Sequence, residues 1–317
     1  MSKNALRLVS TKGLEREDWL SVRKQGIGSS DASSAVGLNP YKSPLELWME
    51  KTGRAENDVS NDAAYWGTTL EPIVAQEYSL RSGFKVRRVN AVLQHPSVPF
   101  MLANLDREIV AHPEGAGILE CKTAGHYSAK HWEDGVPEWY QLQVLHQLAV
   151  TGRKWADVAV LIGGQDFRIF RINRDEDMIS NLVQLEREFW KLVEEDIPPP
   201  ADGSESSRKA LSLLYPRDSG TVMDCTTDSA INDVFSRLVD ARAIKEEAEE
   251  EEEKLRQQIQ EVMGDATQLL LLGGKVSWKK SKDSQGIDLK KILEVHPEFQ
   301  QQFPLVKPGS RRFVVSI

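Results

Sequence analysis

Between Phe100 and Ala124 two carboxylates and an amine fall at spacings suited to phosphodiester chemistry. Short apolar runs flank the turn-rich segment His112-Pro113-Glu114-Gly115-Ala116-Gly117, which predicts a hairpin. On its second strand Glu120 and Lys122 share a face and Cys121 is opposed. The hairpin brings Asp106, on the first run, alongside them. Magnesium takes carboxylate oxygens and water, with only one or two carboxylates supplied by protein. A bound metal makes water a better nucleophile, and a metal pair clamps the attacking and leaving oxygens of an in-line displacement. A neighbouring lysine orients or deprotonates the water and offsets charge on the phosphate. The expected chemistry is magnesium-dependent phosphodiester hydrolysis.

The surrounding pattern supplies the elements that must hold this ledge. Glu15 to Lys24 has helical periodicity and leads into Gln25-Gly26-Ile27-Gly28-Ser29-Ser30-Asp31. A Gly/Ser turn before a helix offers free backbone N–H groups to an anion, and Arg23 one turn earlier adds a forked charge. Alone, Ser29, Ser30 and Asp31 read more simply as a helix cap. Ser43-Pro44 starts a helix, residues 53–63 form a polar loop, and Glu71-Pro72 places Glu71 early in the next helix. Val86 to Leu93 reads as a strand feeding the hairpin. Trp139 to Thr151 makes a mostly apolar helix with Tyr140 and Gln143 on one face. Strands at Asp157–Ile162 and Phe167–Ile172 and an amphipathic helix at Asp175–Glu195 complete an α/β core around a mixed sheet of about five strands.

Composition places limits on this reading. The 317 residues allow one large domain with an appendage, and 40% hydrophobic with 28% charged residues is usual for a soluble globular chain. No apolar run reaches the ~20 residues a membrane helix needs. The N-terminus lacks a signal-peptide core, and two cysteines make neither a disulfide framework nor a zinc motif, so a cytosolic setting is expected. Net charge is −8, unevenly spread: −5 over residues 1–200 (23 basic, 28 acidic), −8 over 201–269 (8 and 16), and +5 over 270–317 (9 and 4). Any polyanion must therefore meet a local basic track.

Five motifs in one chain order carry a resemblance. They are Trp19…Arg23…Gly26-Ile27-Gly28-Ser29-Ser30-Asp31, Trp66-Gly67…Leu70-Glu71, Asp106, Leu119-Glu120-Cys121-Lys122, and Tyr140…Gln143…Val150-Thr151-Gly152. Together they resemble the YqaJ/lambda-exonuclease family of phage recombination nucleases, with the restriction-endonuclease-like PD-(D/E)xK fold. The resemblance implies metal binding by Glu71, Asp106, Glu120 and the Cys121 carbonyl, with Lys122 as the catalytic lysine. It implies that Arg23 and Ser30 hold a 5′-phosphate and that Asn104, Tyr140 and Gln143 join them in binding the DNA. Asn104 stands where a serine is common, and Arg107 where a glycine often follows the aspartate. The implied activity is 5′→3′ digestion of one strand of linear duplex DNA with Mg²⁺, two ions, Mn²⁺ substituting; the alternatives are an endonuclease or single-strand DNA nuclease of the same fold, or a non-catalytic DNA-end-binding scaffold. The implied partners are DNA ends, a single-strand annealing protein and further copies of the chain in a trimeric or tetrameric ring. The implied location is the cytoplasm of a bacterium carrying the phage or prophage.

These motifs lie in a nuclease domain over residues 1–200. Pro198 to Ser207 reads as linker, and residues 201–317 as an appendage. Within it, a long helix over 228–263 stops at Gly264 and carries near-heptad apolar rows, which favour a helical hairpin or coiled coil at its ends. Glu246–Glu253, with seven Glu, reads as a solvated face. A small α/β segment over 265–317 follows: a hairpin about Gly273-Gly274, a helix at Leu289–Val295 and a strand at Arg311–Ile317.

Overall fold

A computed structural model describes residues 5–55, 62–305 and 309–316, and the chain divides into two compact units, Met1–Pro216 and Arg217–Ile317. The first unit opens with β1 (Leu6–Ser10), α1 (Arg16–Lys24), β2 (Ile27–Gly28), a 3₁₀ turn at Ser29–Asp31 and α2 (Ala32–Ala35). Helices α3 (Pro44–Lys51) and α4 (Asp62–Ser82) precede strands β3 (Lys85–Arg87), β4 (Ala91–Gln94), β5 (Met101–Ala103), β6 (Arg107–Val110) and β7 (Gly117–Ala124). Then come α5 (Glu138–Thr151), β8 (Trp155–Ile162), β9 (Asp166–Asn173), α6 (Glu176–Glu194) and α7 (Glu205–Leu214). Local chemistry sets several ends. Ser43 caps α3 by accepting from the Glu46 N–H at 3.2 Å, with Pro44 next to it, and Gly152 stops α5 at φ 68°.

The strands form two sheets, ordered β1-β4-β5-β2 and β3-β6-β7-β8-β9. In the second sheet only the central pair β7–β8 is parallel, as its crossover through α5 requires. One face packs Ile118, Val158 and Val160 against Val144, Leu148 and Leu182 of α5 and α6. The other packs Ile109, Leu119 and Trp155 against Val74, Ala75 and Tyr78 of α4. The buried Tyr78 hydroxyl donates to Asp157 Oδ2 at 2.6 Å and pins α4 to β8. This is the α/β arrangement expected, a mixed sheet flanked by helices.

Several boundaries differ from the sequence reading. The Phe100–Val110 run is two strands, because β5 pairs with β4 in the first sheet whereas β6 pairs with β3 and β7 in the second. Val86–Leu93 splits in the same way into β3 and β4. Strand β1 was not anticipated. Glu71 lies in the middle of α4, since the helix begins at Asp62 and carries Pro72 in its interior. The supposed linker contains the start of α7: Ser206 and Ser207 are buried, and Ser206 accepts from the Ser43 N–H at 2.8 Å. The first unit accordingly extends to Pro216. Of the polar loop at 53–63, residues 56–61 lie outside the described residues.

The second unit contains α8 (Ser229–Met263), the hairpin β10 (Gln268–Leu271) and β11 (Gly274–Ser277), α9 (Leu289–Val295) and α10 (Glu298–Gln302). Asp228 caps α8, and Gly264 follows its last turn. In the apolar rows of α8, Ile231, Val234, Leu255 and Val262 are exposed, whereas Leu238 and Ile259 are half-buried. The described residues between 309 and 316 form no strand, contrary to expectation, and Ile317 is outside them. No helix among the described residues is long and apolar enough to cross a membrane.

Candidate active site

The switch between sheets at Asn104–Asp106 sets the geometry of the site. It leaves Asp106 one residue before β6, and the Arg107–Leu119 pairing puts Asp106 across from Glu120. With no ladder partner there, the Cys121 N–H donates to Asp106 Oδ2 at 2.8 Å. The N–H and C=O of one strand residue point to the same side, so the Cys121 carbonyl is directed toward Asp106 as well.

Helix α5 grips the other carboxylate. Glu120 is buried, with Gln143 Nε2 donating to Oε1 at 2.6 Å and Gln147 Nε2 donating to Oε2 at 2.7 Å. The two amides are one helical turn apart and so reach the same group. Lys122 Nζ lies 2.8 Å from Glu120 Oε1 and donates to Gln143 Oε1 at 3.0 Å. The Tyr140 ring centroid is 4.5 Å from the same ammonium, within cation–π range.

Negative charge exceeds positive charge at this point. Burial, then the charges of Glu120 and Glu71, push the Asp106 carboxyl well above its ordinary range despite Lys122 and the Cys121 N–H. Burial and the same three carboxylates also push the Cys121 thiol up. For Lys122, burial opposes the charged form, but Glu120, Tyr140 and Asp106 outweigh it and hold the ammonium above the usual lysine range.

Glu71 belongs to this electrostatic group, yet its carboxylate is taken by Arg107 Nη1. Arg107 is buried and also donates to the Asp106 carbonyl at 2.6 Å. Among the described residues no three acidic, histidine or cysteine side chains gather as a metal cluster. The oxygen donors that the hairpin register brings near one another are Asp106, across from Glu120, and the Cys121 carbonyl beside it. The buried Gln147 Oε1, which has no hydrogen-bond partner, adds a further oxygen beside Glu120. An all-oxygen set with buried negative excess suits Mg²⁺, which needs few protein ligands.

A second constellation adjoins the first. Arg23, Ser30 and Asn104 line one small cavity of about 80 Å³, with Trp19, Gly28 and Leu102. Arg23 Nη2 donates to Asp31 Oδ1 at 2.8 Å and to Ser30 Oγ at 3.4 Å. Lys51 Nζ donates to Asp31 Oδ2 at 2.7 Å and to the Arg23 carbonyl at 2.9 Å. Burial favours a neutral Asp31, but Lys51 and Arg23 prevail and hold its carboxyl far below the usual range. Gly26 is required here because a Cβ would come within 2.3 Å of the Phe100 carbonyl oxygen. Asn104 joins the two constellations, since its carbonyl accepts from Gln147 Nε2 at 3.3 Å.

Each residue singled out from sequence thus falls at one of two adjoining places. Asp106, Glu120, Cys121, Lys122, Tyr140 and Gln143 surround the carboxylate pair, with Glu71 turned to Arg107, whereas Arg23, Ser30 and Asn104 line the cavity. Sequence reasoning missed Gln147, Lys51 and the role of Arg107. Gln147 was readable as a second amide one turn beyond Gln143. Lys51 left no signal, because only the fold brings it to Asp31.

Fold and site together define a mixed α/β protein with an Asp106–Glu120–Lys122 cluster on its central hairpin. Residues 18–154 match the YqaJ-like viral recombinase domain family. The chain is 38% identical over 310 residues to the uncharacterized protein YqaJ of Bacillus subtilis (strain 168), covering 95% of this chain and 94% of that one. The chain therefore belongs to the YqaJ family. A shorter stretch of 69 residues is 35% identical to protein D345L of African swine fever virus (strain Badajoz 1971 Vero-adapted), covering 22% of this chain and 20% of that one. Among solved structures, an alkaline exonuclease (LHK-Exo) from Laribacter hongkongensis is similar at 22% identity and a TM-score of 0.48, covering 62% of this chain and 99% of that one.

Proposed function

We propose that the chain is a Mg²⁺-dependent 5′→3′ exodeoxyribonuclease acting on linear duplex DNA and leaving 3′ single strands for annealing-type recombination. One observation carries this reading: the Asp106–Glu120–Lys122 cluster and the Arg23–Ser30 cavity are joined through Asn104. A cutting site and an anion cavity so connected suit hydrolysis next to a terminal phosphate. Each cut leaves a new 5′-phosphate for the same cavity.

Asp106, Glu120 and the Cys121 carbonyl would hold the metal ion, which supplies positive charge to the phosphoryl oxygens and acidifies a water molecule. Lys122, beside Glu120, would orient the attacking water and offset charge on the phosphate. Gln143 and Gln147 fix Glu120, and Tyr140 limits where the lysine can swing. Arg23 binds the terminal phosphate, while Lys51 keeps Asp31 charged and Arg23 in place. A ring of copies and a single-strand annealing protein belong to the same proposal.

The test is purified protein with Mg²⁺ or Mn²⁺ on 5′-phosphorylated linear duplex, 5′-hydroxyl linear duplex and closed circular DNA. Rapid loss of the first, slower loss of the second and an intact circle are expected. Cleavage of the circle would replace the exonuclease reading with an endonuclease, and no cleavage would leave an end-binding scaffold. Light scattering checks the oligomer.

A further inference from the structure

On the other face of the first sheet from the Arg23 cavity lies a larger one of about 520 Å³, lined by Arg7, Arg87, Arg88 and Arg153 about Glu108, with Leu93 below. Val92 lines the first cavity and Leu93 the second, and successive strand residues point to opposite faces. Glu108 pairs with Ile118, two residues before Glu120, so this cavity opens on the face of the hairpin that carries the cutting site.

Its charges are arranged for an anion. Glu108 Oε1 is taken by Arg153 and Oε2 by Arg87, so the single carboxylate is already used in fixing two guanidiniums. Arg153 also donates to the Gly117 carbonyl at 2.7 Å, which holds it against β7. Arg7 and Arg88 have no acidic partner among the described residues, although the whole chain carries a net charge of −8. A bulge in β1 between Arg7 and Val9 leaves Arg7 directly across from Leu93, on the cavity side. Guanidinium forks match phosphate oxygens bidentately and stack on bases.

We propose that this arginine cavity is a second nucleic-acid site, holding phosphodiester backbone of the DNA that flanks the cut, apart from the terminus at Arg23. The inference rests on the nuclease reading above. The arrangement of two fixed and two unpartnered guanidiniums over an apolar floor suits backbone with its sugars and bases better than a carboxylate-rich peptide.

The test uses the full-length Arg7→Gln/Arg88→Gln variant, with Arg88→Glu as a second probe. Both residues are exposed and make no ion pair, so the thermal midpoint should hold. Binding of 5′-phosphorylated duplex is followed by fluorescence anisotropy in EDTA across a sodium chloride series. The double variant should lose about tenfold or more in affinity, and its plot of log K against log salt should flatten by about two, one for each phosphate contact. Preference for a 5′-phosphate over a 5′-hydroxyl should not change. Unchanged affinity and slope, with wild-type protein still cutting DNA, would overturn the cavity assignment and leave the nuclease reading intact. Unchanged DNA affinity together with reduced binding of poly-glutamate would assign the cavity to an acidic protein segment. Wild-type protein that neither binds nor cuts DNA would remove both readings.

Discussion

Two aspartates of the first unit, Asp31 buried and Asp106 partly buried, sit in opposite electrostatic circumstances. Asp31 has a cation on each oxygen, Arg23 on one and Lys51 on the other, and its carboxyl is held far below the ordinary range. Asp106 has a backbone N–H on one oxygen and two carboxylates for neighbours, and its carboxyl is pushed well above that range. Burying a charge is costly unless it is paired and hydrogen-bonded. The Asp31 cluster is thus closed within the chain and serves as scaffolding for Arg23. The Asp106 cluster carries negative charge that the chain leaves incompletely matched, and this is where an added divalent cation has most to gain.

The strongest way to break this contrast is to remove the single ammonium from the second cluster. Lys122→Ala should lower cleavage of linear duplex by about 10²-fold or more while DNA binding survives, measured by single-turnover assay and anisotropy. Turnover near wild type would take Lys122 out of the chemistry. Isosteric neutralisation should next move the two aspartates in opposite directions. Asp31→Asn leaves Lys51 buried without a counter-charge and should destabilise by about 3–5 kcal/mol in denaturant melts. Asp106→Asn should hold or raise the thermal midpoint in EDTA and abolish the midpoint rise expected of the wild type on adding Mg²⁺. If both variants destabilised alike, the contrast would collapse.

A smaller effect is expected from Arg23→Ala, because Lys51 still pairs with Asp31. Preference for 5′-phosphorylated over 5′-hydroxyl ends should fall by about tenfold, in line with a lost charge-assisted contact. An unchanged preference would remove Arg23 from the terminal site. The smallest effect concerns a third buried pair. His146 Nδ1 lies 2.7 Å from Glu186 Oε1, and Nε2 lies 2.9 Å from the Leu102 carbonyl. Burial opposes a charged imidazole, but Glu186 outweighs it and raises the His146 pKa. Its stabilisation is then complete below the unfolded value of about 6.5 and fades as pH rises through the higher folded value. The midpoint gap between wild type and His146→Gln should be wider at pH 6 than at pH 9. A gap independent of pH would show that the contribution is packing alone.

The contrast between the clusters also marks what could be read in advance. Glu120 and Lys122 were legible because strand alternation puts them on one face. Tyr140 and Gln143 were legible because a helix repeats every three to four residues. The mixed sheet flanked by helices followed from the same periodicities. Arg107 was invisible as a partner of Glu71 because α4 and β6 meet only through tertiary packing. Treating Pro72 as a helix start hid that Glu71 lies mid-helix. The change of sheet at Asn104–Asp106 was hidden as well, since both halves of the run are equally apolar and only their pairing partners differ. Ser206 and Ser207 carried linker composition, but Ser43 and Glu46 supplied buried hydrogen bonds that composition cannot reveal.

Helix α5 touches the β6–β7 hairpin twice. Gln143 and Gln147 hold Glu120, while Arg153, just past Gly152, grips Glu108 and Gly117. The helix is thus tied to the hairpin at its middle and just past its C-terminal end. A backbone phosphate competing for Arg153 would loosen one tie, and any slide of the rod would tug the amides that aim Glu120. Grip on the substrate and readiness to cut would then be coupled through a single rigid member, without a lid.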